Sequence, residues 1–365
     1  MKILGIESSC DETAASVVED GTRLLSNVVN SQIDIHAVYG GVVPEIAARS
    51  HIEAINPAIE QALKEANCTW DDIDAIAVTY APGLIGSLLV GTLAARTLAI
   101  LKNKPLYPIH HVEAHVYANF ITQQVEREPL VDVAEETSAT RVSPETRREA
   151  VSVVIPTKRL ELPSKQPAFP MLALIVSGGH TQLVLFRDHG DYELLGQTQD
   201  DAVGEAFDKV AKIIGLPYPG GPSVAKAALV GNPRAYPLPK AKLQNPYDFS
   251  FSGLKTATLR AVQHELGKDI TFPSHELAGL LSDSQRNDFA ASFQRIAIET
   301  LVDKAVKACS DLSPASVVIA GGVAANQELR RQLTERLPIA IEYAPMQLCT
   351  DNGAMIAALG YYVAQ

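Results

Sequence analysis

Residues 1–13, MKILGIESSCDET, join an apolar strand to a small polar turn that carries two adjacent carboxylates. Two more β-rich runs follow, around Ala14–Glu19 and Arg23–Val29. The same order recurs from residue 171, where MLALIVSGGHTQLVLF opens a second series of three strand-like runs. Each series leads into helices and a further strand. The pattern therefore predicts a duplicated β-β-β-α-β-α architecture rather than one winding sheet.

Two long helices are predicted in the first half of the chain. One covers Pro44–Glu65, where apolar residues recur at steps of three and four. The other, Leu84–Leu101, contains Arg96 as its single charged residue and approaches the length of a membrane span. A lone span without flanking charge asymmetry would not account for the rest of the chain. We therefore expect a buried or partner-facing helix and no membrane association.

The composition is that of an ordinary globular protein. Of the 365 residues, 47% are hydrophobic and 20% are charged, which is enough for two lobes with a full core. The formal net charge of −11 argues against a dedicated DNA-binding module. The four cysteines are widely spaced and form no zinc-ribbon or disulfide pattern, and no signal peptide precedes the first strand. These features predict a reduced, cytoplasmic setting.

Composition also divides the chain. Residues 122–170 are rich in charge, Pro, Ser and Thr, which predicts a mobile insertion. The first lobe is expected at 1–121 together with 351–365, and the second lobe at 171–350. Within the second lobe, residues 209–260 carry eight basic side chains against one acid, with aromatics between them. This pattern favours an RNA-binding face, although a solvated surface with the aromatics in the core fits it as well.

Glycine-rich turns lie at four predicted element boundaries, at 5–11, 177–181, 219–222 and 320–323. Glycine allows a backbone to approach a ligand closely, and turn amides and helix N-termini can hold phosphate oxygens. One such turn is weak evidence, but two in matching positions of the half-chains favour a phosphate site. The chain has no GxxxxGK[ST] sequence, so a Walker-type ATPase is not supported.

Two histidines in HHVEAH, His111 and His115, indicate a metal site. On a helix they share one face, at a spacing that lets two imidazoles bind one metal. Val112 follows His111, so the motif is not the HExxH of metalloproteases. Asp351, ahead of a helix-like run, is the candidate third ligand. Capping of that helix by Asp351 is an equally good explanation.

Acidic residues Glu7, Asp11 and Glu12 cluster where the first strand turns. Paired carboxylates in a cleft can position a nucleophile or take its proton. The alternative is turn chemistry and solvated charge, which suits Asp11 better than Glu7 in its apolar strand.

The chain contains, in order, the motifs GIESSCDET, GGVVPEIAARSH, APGLIGSLLVG, HHVEAH, VSGGHTQLV, DDAVGEAFDKVAK, YPGGP, FSFSGLKT, AGGVAANQELR and CTDNGAMIA. Together they closely resemble the bacterial TsaD family of tRNA adenosine threonylcarbamoyltransferases, once described as O-sialoglycoprotein endopeptidases. The resemblance covers nearly the whole chain outside residues 122–170. It implies an α/β fold of the actin-like, sugar-kinase-like (ASKHA) type, with two lobes around a nucleotide cleft.

The resemblance also implies a reaction. Threonylcarbamoyl-AMP would donate its threonylcarbamoyl group to N6 of the adenosine 3′ of the anticodon, in tRNAs that read ANN codons. One divalent metal, iron or zinc, would be held by His111, His115 and Asp351, and an adenine nucleotide or threonylcarbamoyl-AMP would occupy the cleft. The implied nucleotide and substrate contacts are Ile175, Val176, Ser177, Gly178, Gly179, Asp208, Gly221 and Asn326. Asp11 and Glu12 match acidic positions of the active cleft, where one of them could accept the amine proton.

The partners implied by the resemblance are tRNA, a smaller TsaB-type paralogue, a TsaE-type ATPase and, as the source of the donor, a TsaC-type synthase. Small residues such as Gly86, Gly91 and Ala95 in the apolar helix would suit packing against the paralogue. Three other functions fit parts of the sequence: a metalloprotease, a small-molecule kinase and a non-catalytic nucleotide-binding scaffold. The first lacks the HExxH glutamate, and the second leaves the histidines without a role.

Overall fold

The computed structural model describes residues 1–125 and 160–365, and these ranges contain ten strands and twelve α-helices. The strands are β1 (Lys2–Glu7), β2 (Glu12–Glu19), β3 (Arg23–Ser31), β4 (Ala75–Ala81), β5 (Leu106–His110), β6 (Gln123–Gln124), β7 (Met171–Val176), β8 (Thr181–Asp188), β9 (Asp191–Gln197) and β10 (Ser316–Ala320). The helices are α1 (Ile33–Ala37), α2 (Pro44–Glu65), α3 (Ile85–Lys102), α4 (His111–Tyr117), α5 (Val203–Ile214), α6 (Gly220–Ala228), α7 (Ser252–Glu265), α8 (Ser274–Leu277), α9 (Asp283–Leu312), α10 (Gln327–Arg336), α11 (Met346–Cys349) and α12 (Gly353–Val363).

The strands form two sheets with matching order. The first sheet runs β5-β4-β1-β2-β3-β6, and the second runs β10-β7-β8-β9. In each, the leading strand (β1 or β7) pairs antiparallel with the next strand and parallel with a strand that comes after intervening helices. The order β4-β1-β2-β3 is thus repeated as β10-β7-β8-β9. The predicted duplication and the actin-like fold class are confirmed.

Helices cover both faces of the first sheet. The long helices α2 and α3 pack on one face, and α12 packs across β1, β2 and β4 on the other. This explains why β1 is apolar without alternation, since neither face meets solvent. The contact with α12 is close: a Cβ added at Gly5 would lie 2.1 Å from the carbonyl oxygen of Gly353. Close packing therefore brings the segment before α12, which carries Asp351, to the end of β1.

Most predicted elements lie within a few residues of the observed ones. The helix at Pro44–Glu65 agrees with α2 in both bounds. Helix α9 begins at Asp283, where Ser282 and Gln285 form a capping box. Of the proposed insertion 122–170, residues 126–159 lie outside the described part. In the remainder, Leu160, Leu162 and Phe169 pack against the core.

Helix α3 has two unlike faces. By length and composition alone it could cross a membrane, with a mean hydropathy of 1.5. Its small residues Gly91 and Ala95 are buried inside the molecule, and a Cβ at Gly91 would lie 2.2 Å from Oγ of Ser8. The expectation that these two residues pack against a partner is therefore wrong. The outward face instead carries large side chains: Leu89 is 54% and Leu93 is 53% exposed.

Candidate active site

Three predicted metal ligands converge at one point. His111 and His115 lie one turn apart on the short helix α4, and their ring centroids are 4.6 Å apart. Asp351 approaches from the chain just before α12. Its Oδ1 lies 3.6 Å from Nε2 of His111 and 3.3 Å from Nε2 of His115. One potential ligand atom from each of the three residues lies within 4.8 Å of the others.

Asp351 is free to serve this site because a neighbour caps the helix. The side chain of Asn352 accepts the hydrogen bond from the backbone N–H of Met355 and is the N-cap of α12. Asn352 is fully buried and donates to the carbonyl oxygens of Leu348 and Thr350. The alternative in which Asp351 merely caps the helix is therefore wrong.

A buried carboxylate orients His111. Glu7, at the end of β1, is fully buried and accepts from the N–H of Ser9 and from the hydroxyl of Thr79. Its Oε2 also lies 3.1 Å from Nδ1 of His111, whose second neighbour there is the Ser9 hydroxyl at 3.2 Å. When Nδ1 of His111 donates its N–H to Glu7, the lone pair of Nε2 faces Asp351. Metal-binding histidines usually have such a partner behind the ring.

His115 supplies the observation that points most directly to a cation-binding site. It is 1% exposed, and in the part of the chain that the structure describes neither ring nitrogen has a hydrogen-bond partner. Leaving a buried polar atom unpaired is costly. Two ligands about 2.1 Å from one ion, at tetrahedral or octahedral angles, are about 3.0–3.4 Å apart, close to the separations measured to Asp351. Two imidazoles and a carboxylate are also a donor set that iron and zinc both accept.

The charges of these groups are coupled. Burial opposes protonation of His111, but the carboxylates of Asp351 and Glu7 outweigh it and raise the pKa of His111 to about 9. Burial likewise opposes ionisation of Asp351, yet His111 and His115 hold the pKa of that carboxyl below its usual range. The pocket therefore stabilises an ionised carboxylate facing positive charge, and a bound cation would supply that charge.

His180 joins this group from the second lobe. It ends the turn Ser177–His180, where the N–H of Ser177 donates to the carbonyl of His180 at 2.8 Å. Burial and the neighbouring His111 and His115 lower the pKa of His180 to about 4, so its ring is neutral. The residue was not predicted as part of the site, although its place directly after the two glycines of VSGGH is a visible signal.

A cleft of about 1240 Å³ separates the lobes next to the metal candidates. Six predicted residues line it: Asp11, Glu12, Gly178, Asp208, Gly221 and Asn326. Ile175 and Val176 have buried side chains in β7, while Ser177 and Gly179 belong to the turn that follows. Asp208 Oδ1 accepts from the N–H of Gly220 at 2.6 Å, and Asn326 caps α10 and donates to Gln294 at 3.1 Å.

The two acidic residues of the first turn, Asp11 and Glu12, both line the cleft. Glu12 opens β2, where its Oε1 accepts from the Ser31 hydroxyl at 3.3 Å. Burial raises the pKa of Glu12 well above its usual range, and the carboxylates of Asp11 and Asp351 raise it further. Glu12 therefore holds a proton more readily than an ordinary glutamate does.

Part of the basic stretch 209–260 is held in ion pairs within the molecule. Lys209 and Lys255 both bind Asp201 at 2.9 Å, and Lys240 binds Glu299 at 2.9 Å. The aromatics also turn inward: Phe249 and Phe251 are fully buried, and Tyr236 stacks on Phe289. These lysines and aromatics fit the alternative of a solvated surface with the aromatics in the core. The RNA-binding face stays a prediction for the other basic residues, of which Lys226 and Arg234 line the cleft.

Fold and site together define an actin-like, two-lobed protein with a candidate metal centre at the edge of its cleft. The sequence model of the TsaD family, described as tRNA N6-adenosine threonylcarbamoyltransferase, matches residues 23–137 and 151–358. The chain belongs to this family, as its motifs predicted.

Individual relatives agree with this assignment. A tRNA N6-adenosine threonylcarbamoyltransferase of Symbiobacterium thermophilum is 49% identical over 364 residues, covering 99% of this chain and 91% of the relative. Another, from Thermomicrobium roseum, is 47% identical over 372 residues, covering 100% of this chain and 92% of the relative. Among solved structures, HypF of T. kodakarensis matches the fold with a TM-score of 0.58 and 12% identity, over all of this chain and 48% of HypF.

Proposed function

We propose that this chain transfers the threonylcarbamoyl group of threonylcarbamoyl-AMP to N6 of the adenosine 3′ of the anticodon in ANN-reading tRNAs. Family membership gives the reaction. The observation that carries the assignment to this site is the buried His115, whose ring nitrogens make no hydrogen bond within the described residues although Asp351 lies beside it, next to a cleft large enough for a nucleotide. The donor joins a reactive carbonyl to AMP. The metal site would serve the carbonyl, and the cleft would hold the AMP part.

His111, His115 and Asp351 would hold one divalent ion, iron or zinc. When bound, the ion acts as a Lewis acid that favours negative charge on the donor's carbonyl and phosphate oxygens. The chain's own contribution is orientation. Glu7 keeps the His111 ring turned with Nε2 toward the site, and α12 holds Asp351 against His115.

The AMP part of the donor would lie along the second lobe. Around Gly178, Gly179 and Gly221, within the described ranges, an added Cβ would meet nothing within 4 Å, so their open sides can accept a ligand. Turn amides and the first turn of α6 suit phosphate oxygens. Asn326, at the start of α10, and Asp208 would contact the sugar or base.

The acceptor amine attacks the carbamoyl carbon of the donor. A carbon–nitrogen bond forms, the carbon–oxygen bond to the phosphate breaks, and AMP leaves with the bonding electrons. The amine then loses one proton. In its ionised form Glu12 would accept that proton, because a raised pKa makes this carboxylate a stronger base than an ordinary one. Asp11 beside it would hold the amine or share that proton.

The outer face of α3 would bind the smaller TsaB-type paralogue. Leu89 and Leu93 are more than half exposed there, and Ile52 on the adjoining helix α2 is 63% exposed. An apolar surface of this kind indicates a protein partner. A TsaE-type ATPase would join the complex, a TsaC-type synthase would supply the donor, and the reaction would take place in the cytoplasm.

The test is a reconstituted transfer reaction with threonylcarbamoyl-AMP, an unmodified ANN-reading tRNA, the partner subunits and metal, followed by nucleoside mass spectrometry. His111→Ala and Asp351→Ala should each lower product formation about 100-fold or more, because an electrostatic contributor is removed. They should also lower bound iron or zinc in elemental analysis.

His275→Ala is the matched control, since its side chain is 76% exposed. It should retain both activity and metal. No product from the unmodified chain, with all components present, would refute the transferase assignment.

A further inference from the structure

The carbonyl oxygen of Cys10, directly before the acidic pair, accepts two side-chain hydrogen bonds. Nε2 of His51 lies 3.0 Å away, and Oγ of Ser87 lies 3.1 Å away. His51 belongs to α2 and Ser87 to α3, and both side chains are fully buried. Two helices thus hold one main-chain atom of the loop that presents Asp11.

His51 also binds the chain on the other side of the acidic pair Asp11 and Glu12. Its Nδ1 lies 2.8 Å from Oγ1 of Thr13, the residue directly after Glu12. A carbonyl oxygen accepts only, so Nε2 carries the proton toward Cys10, and Nδ1 of the neutral ring accepts from the Thr13 hydroxyl. One imidazole therefore spans the two acidic residues, from Cys10 to Thr13.

The neighbouring carbonyls are fixed as well. The Ser9 oxygen accepts from the N–H of Leu84 at 2.8 Å, and the Asp11 oxygen accepts from the N–H of Gln32 at 3.1 Å. These backbone contacts hold the two ends of the loop, whereas the side chain of His51 bridges across it. Both ring nitrogens of the fully buried His51 bind this loop. Losing either hydrogen bond would leave a buried polar atom unpaired, which costs stability.

We propose that His51 is a positioning residue, which sets the direction of the Asp11 and Glu12 carboxylates toward the acceptor amine through Cys10 and Thr13. The inference rests on the proposed function. His51 itself does not line the cleft, so it touches neither donor nor tRNA. Its loss should change the rate of the chemical step and leave donor binding in place.

His51→Leu should lower kcat about tenfold to 100-fold, since a misplacement of about 1 Å can have that effect. KM for threonylcarbamoyl-AMP should stay within about twofold. His51→Gln should recover most of kcat, because its amide nitrogen can donate to the Cys10 oxygen as Nε2 does. Thr13→Val removes one hydroxyl at nearly constant volume and should lower kcat in the same direction by a smaller factor.

Gln263→Leu is the control for ordinary loss of buried hydrogen bonds. Gln263 is 2% exposed and donates to the carbonyl of Phe272, in α7 and away from the acidic loop. It should lower the melting temperature and leave kcat unchanged. Bound metal should equal that of the unmodified chain in every variant, since His51 touches no proposed ligand.

An unchanged kcat in His51→Leu overturns the proposal. So does an equal loss of kcat in Gln263→Leu, which would mark a general effect of destabilisation. If His51→Leu does not fold, Thr13→Val and His51→Gln decide: wild-type kcat in the first overturns the proposal. The unmodified chain distinguishes a wrong role for His51 from a wrong proposed function. If the unmodified chain itself forms no product, the proposed reaction is wrong.

Discussion

Replacing Gly353 by alanine should loosen the contact that holds Asp351 at the metal site. A Cβ there would lie 2.7 Å from the backbone nitrogen of Ser16, 2.8 Å from the carbonyl carbon of Ala15 and 2.8 Å from the oxygen of Gly5. All three are main-chain atoms of a sheet, so they cannot rotate away as a side chain would. The start of α12 must retract by about 0.5–1 Å to reach ordinary contact distances.

The expected cost follows from this geometry. Overpacking of a well-filled core costs about 1–3 kcal/mol, and the better helix propensity of alanine returns less than about 1 kcal/mol. Asp351 lies two residues before Gly353, so it should move away from His115, whose Nε2 is 3.3 Å from the carboxylate. We expect a lower free energy of unfolding in urea and, separately, weaker metal binding.

Two glycines serve as controls. Gly360→Ala, at the far end of α12, places a Cβ 2.6 Å from Cβ of Ala77 and should cost stability while leaving the metal site intact. Gly253→Ala, on an exposed first turn of α7 with no atom within 4 Å in the described ranges, should be neutral or slightly stabilising. If Gly353→Ala matched the unmodified chain in both unfolding free energy and metal content, the close contact would not be what fixes Asp351.

Two further predictions concern the acidic loop and the outer helix. Because the pKa of Glu12 is raised in the folded chain, its stabilising contribution is present below the unfolded pKa and is lost as pH rises through the folded one. Glu12→Gln should therefore melt at a higher temperature than the unmodified chain at pH 8 and lose this advantage near pH 4; an equal advantage at both pH values would contradict the assignment. On α3, Leu89→Glu should weaken binding of the paralogue about tenfold or more in calorimetry and leave the melting temperature unchanged. Gly91→Val should lower stability and activity through its collision with Ser8 and leave binding of the paralogue unchanged. If Gly91→Val but not Leu89→Glu lost binding, the partner would bind the face of α3 that carries Gly91.

The local sequence was sufficient to predict the strands that are buried on both faces. β1 and β7 are short apolar runs bounded by polar turns, and helices cover the faces of such strands in duplicated α/β folds. It was insufficient for α6 and α7, which begin with Gly-Gly-Pro and Ser-Gly. Those residues are typical of turns, and only packing against α5 and α9 makes the segments helical.

The site shows the same division between local and distant information. The spacing of His111 and His115 predicts a shared helix face, because it depends on one turn of backbone. Asp351 was the candidate third ligand from its place ahead of a helix, but helix capping explained it equally well because the contact joins residues far apart in sequence; the family resemblance then favoured the ligand role. His51 ends the motif GGVVPEIAARSH, but the motif gave it no role: a single histidine in an amphipathic helix looks like a core residue, and its partners Cys10 and Thr13 are about 40 residues away.

Helices α2 and α3 pack against each other and would connect the proposed partner surface with the acidic loop. Their inner faces carry His51 and Ser87, which hold the Cys10 carbonyl, and their outer faces carry exposed apolar side chains such as Leu89. Gly91 brings α3 close enough for the Ser8 hydroxyl to donate to the Ser87 carbonyl at 3.0 Å. A partner that shifted either helix would therefore also shift the acidic loop, because tightly packed cores transmit displacement rather than absorb it. If the proposed function holds, paralogue binding and proton transfer would depend on the same two helices, and activity without the partner should be low even though the chain itself contains every proposed ligand.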